Sequence, residues 1–221
     1  MRMETKENKK DIASWRRAVL DGLAMQHPDA APELDFTNPY ELLIATILSA
    51  QCTDKQVNRV TPALFAAYPT PVDLAKAEPE EIEPLIRSCG FYHNKAANIV
   101  SACRDIAERF GGVVPSTREG LESLAGVGRK TASVVLSNAF GVPAIAVDTH
   151  VFRVSNRIGL ASAKNVENTE AQLMEAIPMD EWSIAHHWLI FHGRRVCHAK
   201  KPACGECMIR ELCRYYRAAK E

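Results

Sequence analysis

Four cysteines near the C-terminus, Cys197, Cys204, Cys207 and Cys213, are spaced C-x6-C-x2-C-x5-C. Four soft thiolate donors are thereby crowded into 17 residues, and whatever this segment folds into must wrap one centre. A structural zinc site usually pairs two C-x2-C knuckles across a longer gap. Here there is one knuckle, with a single donor standing off on either side. The pattern suits a cubane iron–sulfur cluster on four thiolates better than a zinc finger. Ordinary buried cysteines or two disulfides are the alternatives, and cysteines without a common ligand seldom bunch this tightly.

The other three cysteines, Cys52, Cys89 and Cys103, are an odd remainder scattered through the chain. The first ten residues are polar and charged with no apolar stretch behind them, so they read as a loose tail and not as a signal peptide. The densest apolar run, Leu42 to Leu48, is far too short to span a bilayer. A reducing cytoplasm without disulfides is the expected setting. Net charge is zero, which at first counts against a nucleic-acid partner. The average hides an asymmetry: residues 1–120 hold 14 Lys/Arg against 17 Asp/Glu, and residues 121–221 hold 13 against 10. From Ile190 onward there are eight basic residues and three acidic ones, a surplus that fits either a solvated basic tail or a polyanion-binding surface.

Periodicity is helical almost throughout, and few windows alternate with period two. Asn38-Pro39 predicts an N-cap followed by Pro in the first turn of a helix over Tyr40 to Ser49. Thr53 is expected to cap a second helix, in which Pro62 should introduce a kink or a fresh start. Helices are further predicted over Glu80 to Arg87, Ala96 to Phe110, Thr117 to Leu124, Arg129 to Phe140, Thr149 to Arg157, Val166 to Ile177 and Glu181 to His192. Gly141 and Gly193 are read as C-terminal stops. The acidic stretch Asp73 to Glu83 is read as a solvated face. The fold class is therefore all-α.

Leu124-Ala-Gly-Val-Gly-Arg-Lys130-Thr-Ala has the form of a helix–hairpin–helix. Glycines at 126 and 128 let the backbone turn sharply and approach a ligand with no Cβ in the way. The amides there and at the start of the next helix direct donors and a positive dipole end at an anion. A DNA phosphate fits such a site without any base being read; a tight αα-hairpin with no ligand is the plainer alternative. Lys130 falls in the first helical turn, where the dipole disfavours a cation. With partial burial, that position is expected to leave more free amine, able to attack an electrophilic carbon and form a Schiff base. Its plainer role is a phosphate contact. Eighteen residues on, Asp148 can cap the helix that follows it. Beside a reactive lysine it is also the expected anion, able to polarise a nucleophile or to stabilise an oxocarbenium-like sugar cation.

Leu124-x-Gly126-Val127-Gly128-Arg129-Lys130-Thr131-Ala132, Val147-Asp148-Thr149-His150 and the four-cysteine spacing together resemble the endonuclease III family of base-excision DNA glycosylases with an associated lyase activity. The resemblance runs from about Asn38-Pro39-Tyr40-Glu41 to Cys213. It implies two α-helical domains. One is a six-helix domain over residues 32–142 that carries the hairpin. The other joins residues 1–31 to 143–221 and carries a [4Fe-4S] cluster on the four cysteines. Lys130 matches the Schiff-base lysine and Asp148 the catalytic aspartate. A damaged base in duplex DNA would be flipped out, Lys130 would attack the sugar C1′, and β-elimination would nick the strand 3′ to the lesion. Oxidised pyrimidines and abasic sites are the implied substrates. The implied DNA contacts are Gly126, Val127, Gly128, Arg129 and Thr131 of the hairpin.

The same resemblance makes Gln51, in Ser49-Ala50-Gln51-Cys52-Thr53-Asp54, the residue that plugs the gap left by the flipped nucleotide. It makes Phe91, where the family often has leucine, a second wedge. Ser49, Asp54, Glu122 and His150 would line the base pocket, while Cys52 stands where the family has a small residue. Lysine at position 130 argues for the bifunctional branch, since an adenine-excising branch usually has Ser there and a thymine-mismatch branch has Tyr. A monofunctional glycosylase using water activated by Asp148, or a non-catalytic iron–sulfur DNA-binding protein, are the competing readings. The cysteine loop is expected to let Arg194, Arg195, Lys200, Lys201 and Arg210 present charge to the DNA backbone. The protein is expected to act as a cytoplasmic monomer at the nucleoid, with no membrane association.

Overall fold

The computed structural model describes residues 6–219, which form helices and turns and no strand. In chain order the α-helices are α1 (Lys6–Gln26), α2 (Pro39–Leu48), α3 (Asp54–Ala67), α4 (Pro71–Ala75), α5 (Pro79–Ile86), α6 (Tyr92–Arg109), α7 (Arg118–Glu122), α8 (Arg129–Phe140), α9 (Thr149–Ile158), α10 (Val166–Ala176), α11 (Trp182–Arg195) and α12 (Arg214–Ala218). Two compact units result. Pro32–Ala144 is continuous, and the other joins the N-terminal segment through Ala31 to the chain from Ile145 onward. The continuous unit holds α2 to α8, one helix more than expected, the addition being α4, a single turn of five residues.

The continuous unit is built around α2. Asn38 accepts a hydrogen bond from the Glu41 amide at 3.0 Å, Pro39 opens the helix, and every residue from Leu42 to Leu48 is buried. A helix apolar on all faces has to be surrounded, and α3, α6 and α8 pack on it. Thr53, Thr70 and Thr117 cap α3, α4 and α7 through their side chains, each cap contributing about 1 kcal/mol.

The discontinuous unit packs α1, α10 and α12 against α9 and α11. Val19, Leu20 and Leu23 of α1 share one core with Val151, Val154 and Leu189. The N-terminal helix is thus part of this core.

Several sequence expectations need correcting. The loose tail over residues 1–10 is helical from Lys6, and residues 1–5 lie outside the described residues. Of the two outcomes expected at Pro62, the fresh start does not occur, since α3 runs on through it. The 73–83 stretch is not simply a solvated face: Leu74 and Ile82 are fully buried, and Glu81 serves α5 by accepting from the Glu78 amide at 2.8 Å. Gly193 does not stop α11, which continues to Arg195. That glycine is needed for packing instead, since a Cβ there would sit 2.9 Å from the Cβ of His150. Gly141 and Gly159 do end α8 and α9 in the left-handed conformation, at φ 65° and 106°.

Burial on α11 pushes the His187 imidazole down to about 4, from an ordinary value of 6.5. Between those values the unfolded chain binds more protons than the folded one. The contribution of His187 is therefore complete above about pH 6.5 and is lost as pH falls toward 4. Replacing it, His187→Asn, is expected to flatten the acid-side fall of the melting temperature between those pH values. His192, held down by the same cause, keeps part of that slope. A parallel pH profile in the variant would remove His187 as a source.

Candidate functional site

The hairpin occupies Ser123 to Gly128, between α7 and α8. Leu124 and Val127 are buried and fix it to the core, and the Val127 amide donates to the Leu124 carbonyl at 3.2 Å. Gly126 sits at φ 73°, and a Cβ there would crowd Asn98 at 3.0 Å, so conformation and space both call for glycine. Gly128 is the N-cap of α8 and has no side chain to offer the first turn. The first intrahelical acceptor is the Gly128 carbonyl, reached by the Ala132 amide at 2.9 Å. The amides ahead of it point out of the helix end. Gly126, Gly128, Arg129 and Lys130 are exposed, whereas Val127 is a buried anchor. Lys130 is exposed rather than partly buried, because the second position of α8 lies outside the core face formed by Ala132, Val135 and Leu136.

Arg118 braces this end of α8. It donates to Ser133 Oγ at 3.1 Å and pairs with Glu122 at 3.4 Å. Glu122, expected in the base pocket, is thus exposed and engaged by Arg118 on its own helix. Ser49 caps the end of α2, its hydroxyl donating to the Thr46 carbonyl at 2.8 Å. Asp54 is the first residue of α3 and half-buried.

Gln51 and Phe91 share one property. Among the described residues they alone, apart from glycines, have positive φ, at 52° and 57°. Both are exposed, Phe91 to 64%. A bulky residue held in this region costs on the order of 1–3 kcal/mol and persists only where its surroundings impose it. An exposed phenyl ring in that state points away from a structural role.

In the other unit, Asp148 caps α9. Its Oδ1 accepts from both the His150 and Val151 amides, each at 2.8 Å. One carboxylate oxygen therefore does the capping, and Oδ2 is left available for a ligand. Two amide donors hold the carboxylate in place at the helix end. His150 is half-buried, its Nδ1 3.2 Å from Arg153 Nη2. Arg153 also donates to the carbonyls of Gly193 at 2.9 Å and Cys197 at 3.0 Å.

The four C-terminal thiols line one pocket with Ile158 and Ile209. No three His, Cys, Asp or Glu side chains among the described residues converge closely enough for a single metal ion. Four sulfurs round a common volume, rather than on a common point, suit a polynuclear cluster, in which each thiolate binds a different iron. Burial pushes Cys207 up to about 11, and Cys213, Cys197 and Cys204 add to the shift, as neighbouring thiolates would. Cationic and hydrogen-bonding groups surround them. Arg157 Nη1 is 3.5 Å from Cys197 Sγ and 2.7 Å from the His198 carbonyl, and its guanidinium lies over Tyr215. His192 Nε2 is 3.6 Å from Cys207 Sγ, and its Nδ1 is 3.1 Å from His27. Sequence reasoning passed over Arg153, Arg157, His27 and His192. Their only signal is position: Arg153 and Arg157 on α9, His192 on α11, and His27 just after α1.

The loop's basic residues divide. Arg195 forms a bidentate pair with Asp29, 2.8 Å on each arm, and lies over Phe191. Arg210 donates to the Gly205 carbonyl and pairs with Glu211. Two of the five cations expected to meet DNA are thus committed within the domain. Lys200 and Lys201 are exposed.

Residues 44–179 match the HhH-GPD superfamily of base excision DNA repair proteins, and residues 197–213 match the iron-sulfur binding domain of endonuclease III. Endonuclease III of Haemophilus influenzae is 48% identical over 200 residues, covering 90% of this chain and 95% of that one. The Bacillus subtilis enzyme is 51% identical over 196 residues, covering 88% and 90%. The chain belongs to the endonuclease III family. Its structure is also similar to that of a trapped endonuclease III–DNA covalent intermediate, with a TM-score of 0.88 and 50% identity over 95% of this chain and 99% of that one. A thermostable thymine-DNA glycosylase superposes with a TM-score of 0.84 at 25% identity, over 93% and 98% of the two chains. Membership makes the cofactor of the cysteine loop a [4Fe-4S] cluster and the chain a DNA glycosylase with AP lyase activity.

Within the discontinuous unit, α1 holds the cluster loop. Ile209 is buried against Gly22, where any Cβ would collide with its Cγ2. Gln26 brackets the same turn through the Glu206 carbonyl and the Met208 amide, at 2.8 and 3.0 Å. Trp15 Nε1 donates to the Leu212 carbonyl at 3.0 Å. Gly22→Ala is expected to destabilise this unit by about 1–3 kcal/mol, the cost of overpacking. The checks are urea denaturation and the rate at which the cluster's visible absorbance bleaches. Equal bleaching rates in variant and parent would show that the contact does not secure the loop.

Proposed function

We propose that this glycosylase and AP lyase removes oxidised pyrimidines from duplex DNA as a cytoplasmic monomer, with Lys130 as nucleophile and Asp148 as its anionic partner. The observation that carries the assignment is the exposed amine of Lys130 in the first turn of α8, directly after a glycine hairpin whose amides open outward. A DNA phosphate seated on those amides, with Gly126, Gly128, Arg129 and Thr131 around it, fixes the strand relative to the lysine. Val127 contributes as the buried pin of the hairpin.

Lys130 acts with its amine deprotonated. Nζ attacks the sugar C1′ as the glycosidic bond to the damaged base breaks and the base leaves with a proton; the C1′–O4′ bond then opens, O4′ taking a proton, to give the C1′=N Schiff base. Removal of a C2′ proton then expels the 3′ phosphate by β-elimination. Asp148 serves through Oδ2, stabilising the cationic sugar while Oδ1 remains on the helix amides. Gln51 and Phe91, both held in the left-handed region and exposed, are the residues inserted into the duplex. Ser49, Asp54 and His150 line the base pocket. Glu122 joins them only by giving up Arg118.

Cys197, Cys204, Cys207 and Cys213 hold the [4Fe-4S] cluster, which supplies a folded DNA-binding loop and no step of this chemistry. Arg157 and His192 bring donors to its thiolates. No described helix is long and apolar enough to cross a membrane.

With a duplex carrying one oxidised pyrimidine, borohydride is expected to trap a covalent complex that Lys130→Ala abolishes. Base release without trapping would point to a monofunctional glycosylase, and neither base release nor trapping to a binding protein. Asp148→Asn is expected to slow base release by roughly 10²-fold or more, with DNA affinity measured by fluorescence anisotropy little changed. Undiminished base release in that variant would reduce Asp148 to a cap.

A further inference from the structure

Cys52 and Cys89 lie outside the cluster loop, each beside one of the two strained residues. Cys52 follows Gln51 in the connection from α2 to α3, and Cys89 ends the turn that leads through Gly90 to Phe91. The two connections touch. The Cβ position of Gly90 is 3.8 Å from the Gln51 carbonyl oxygen, and Gln56 Nε2 donates to Ser88 Oγ at 2.6 Å. Cys52 packs on the apolar core that contains Cys89. The thiols also interact with each other: burial first, and then the hydrogen bond and charge of Cys52, push Cys89 up to about 11. Cys52 is half-exposed, whereas Cys89 is fully buried. Cys103, the remaining thiol of this unit, is raised by burial alone.

We propose that Cys52 and Cys89 are a disulfide-forming pair, a modification site for small-molecule disulfides, whose bond displaces Gln51 and Phe91 and suppresses action on damaged DNA. The half-exposed thiol reacts first. The Cys52 thiolate attacks one sulfur of the small disulfide, forming a mixed disulfide and releasing one small thiol. Cys89 loses its proton to solvent and attacks the Cys52 sulfur, expelling the second small thiol. Two protein thiols are oxidised to one disulfide, and the small disulfide is reduced to two thiols.

Closing non-bonded sulfurs to a bond of about 2.0 Å draws the two connections together by more than roughly 1 Å. Displacements of that size at a recognition site are worth about 10²-fold in rate. Both displaced residues are chain neighbours of the bond or one residue removed, so little backbone lies between to absorb the shift. The effect on activity rests on the assignment of Gln51 and Phe91 as inserted residues; the bond itself does not.

The cluster-loaded protein is incubated with oxidised glutathione while the cluster's visible absorbance is followed. It is then mapped by non-reducing peptide mass spectrometry and assayed on an oxidised-pyrimidine duplex. A Cys52–Cys89 cross-linked peptide is expected with cluster absorbance retained. Incision should fall roughly tenfold or more and recover with dithiothreitol. Cys52→Ala should form no cross-link and keep, after oxidant, the incision rate of its untreated form, whereas Cys89→Ala should form no cross-link and retain glutathione on Cys52. Absence of the cross-linked peptide, or a cross-link that leaves incision unchanged, would overturn the proposal. A reduced protein that neither incises nor traps with borohydride would count against the proposed function instead, and the peptide map would still decide the thiol pair.

Discussion

The first turn of every α-helix carries amides with no acceptor inside the helix, and the two proposed catalytic groups stand where this constraint is met in opposite ways. At α9 it is met within the chain, by Asp148 Oδ1 accepting two amides. At α8 it is left for a ligand, because the N-cap is Gly128 and offers nothing. The first solution fixes a carboxylate through one oxygen and leaves the other without an amide. The second leaves donors and a positive dipole end aimed outward, where a phosphate can complete them. Lys130 follows directly, and a cation in that turn gains little from the helix, so its place there is accounted for by the proposed chemistry and not by helix stability.

The cluster loop shows how a small domain organises a segment with little core of its own. From Cys197 to Cys213 only Ile209 is buried. The loop is instead tied from outside, by Trp15, Gly22 and Gln26 of α1 below it and by Arg153 and Arg157 of α9 beside it. Arg157 serves twice, neutralising thiolate charge near Cys197 and holding the carbonyls of His198 and Ala199. Part of the basic surplus of the C-terminal region is also paired at the surface: Arg195 with Asp29 and Arg210 with Glu211.

What could be read from sequence was what local rules decide. Asn38-Pro39, Thr53, Thr117 and Asp148 marked helix starts, and Gly126 and Gly128 marked the hairpin, because capping and positive φ are settled within a few residues. Gly193 was misread for an instructive reason. A glycine near a helix end carries the same local signal whether it terminates the helix or makes room for a neighbour, and only the approach of His150, 43 residues earlier in the chain, separates the two. The expected burial of Lys130 failed in the same way, since sequence gives its place in the helix turn but not which face meets the core. Arg153, Arg157, His27 and His192 were invisible because their partners are distant carbonyls and thiols.

Gln51 and Phe91 join the two halves of the argument. A glycine at either position would adopt positive φ without strain, and the connection already contains Gly90 next door, where φ is not positive. The chain therefore places bulky side chains where the backbone disfavours them and puts its flexible residue beside them. Stability alone would favour the reverse arrangement. Both side chains are exposed at positive φ, and the proposed insertion into a duplex gives that strain a purpose. Cys52 is the chain neighbour of Gln51 and Cys89 stands two residues before Phe91, so the proposed bond between the thiols would act close to both side chains.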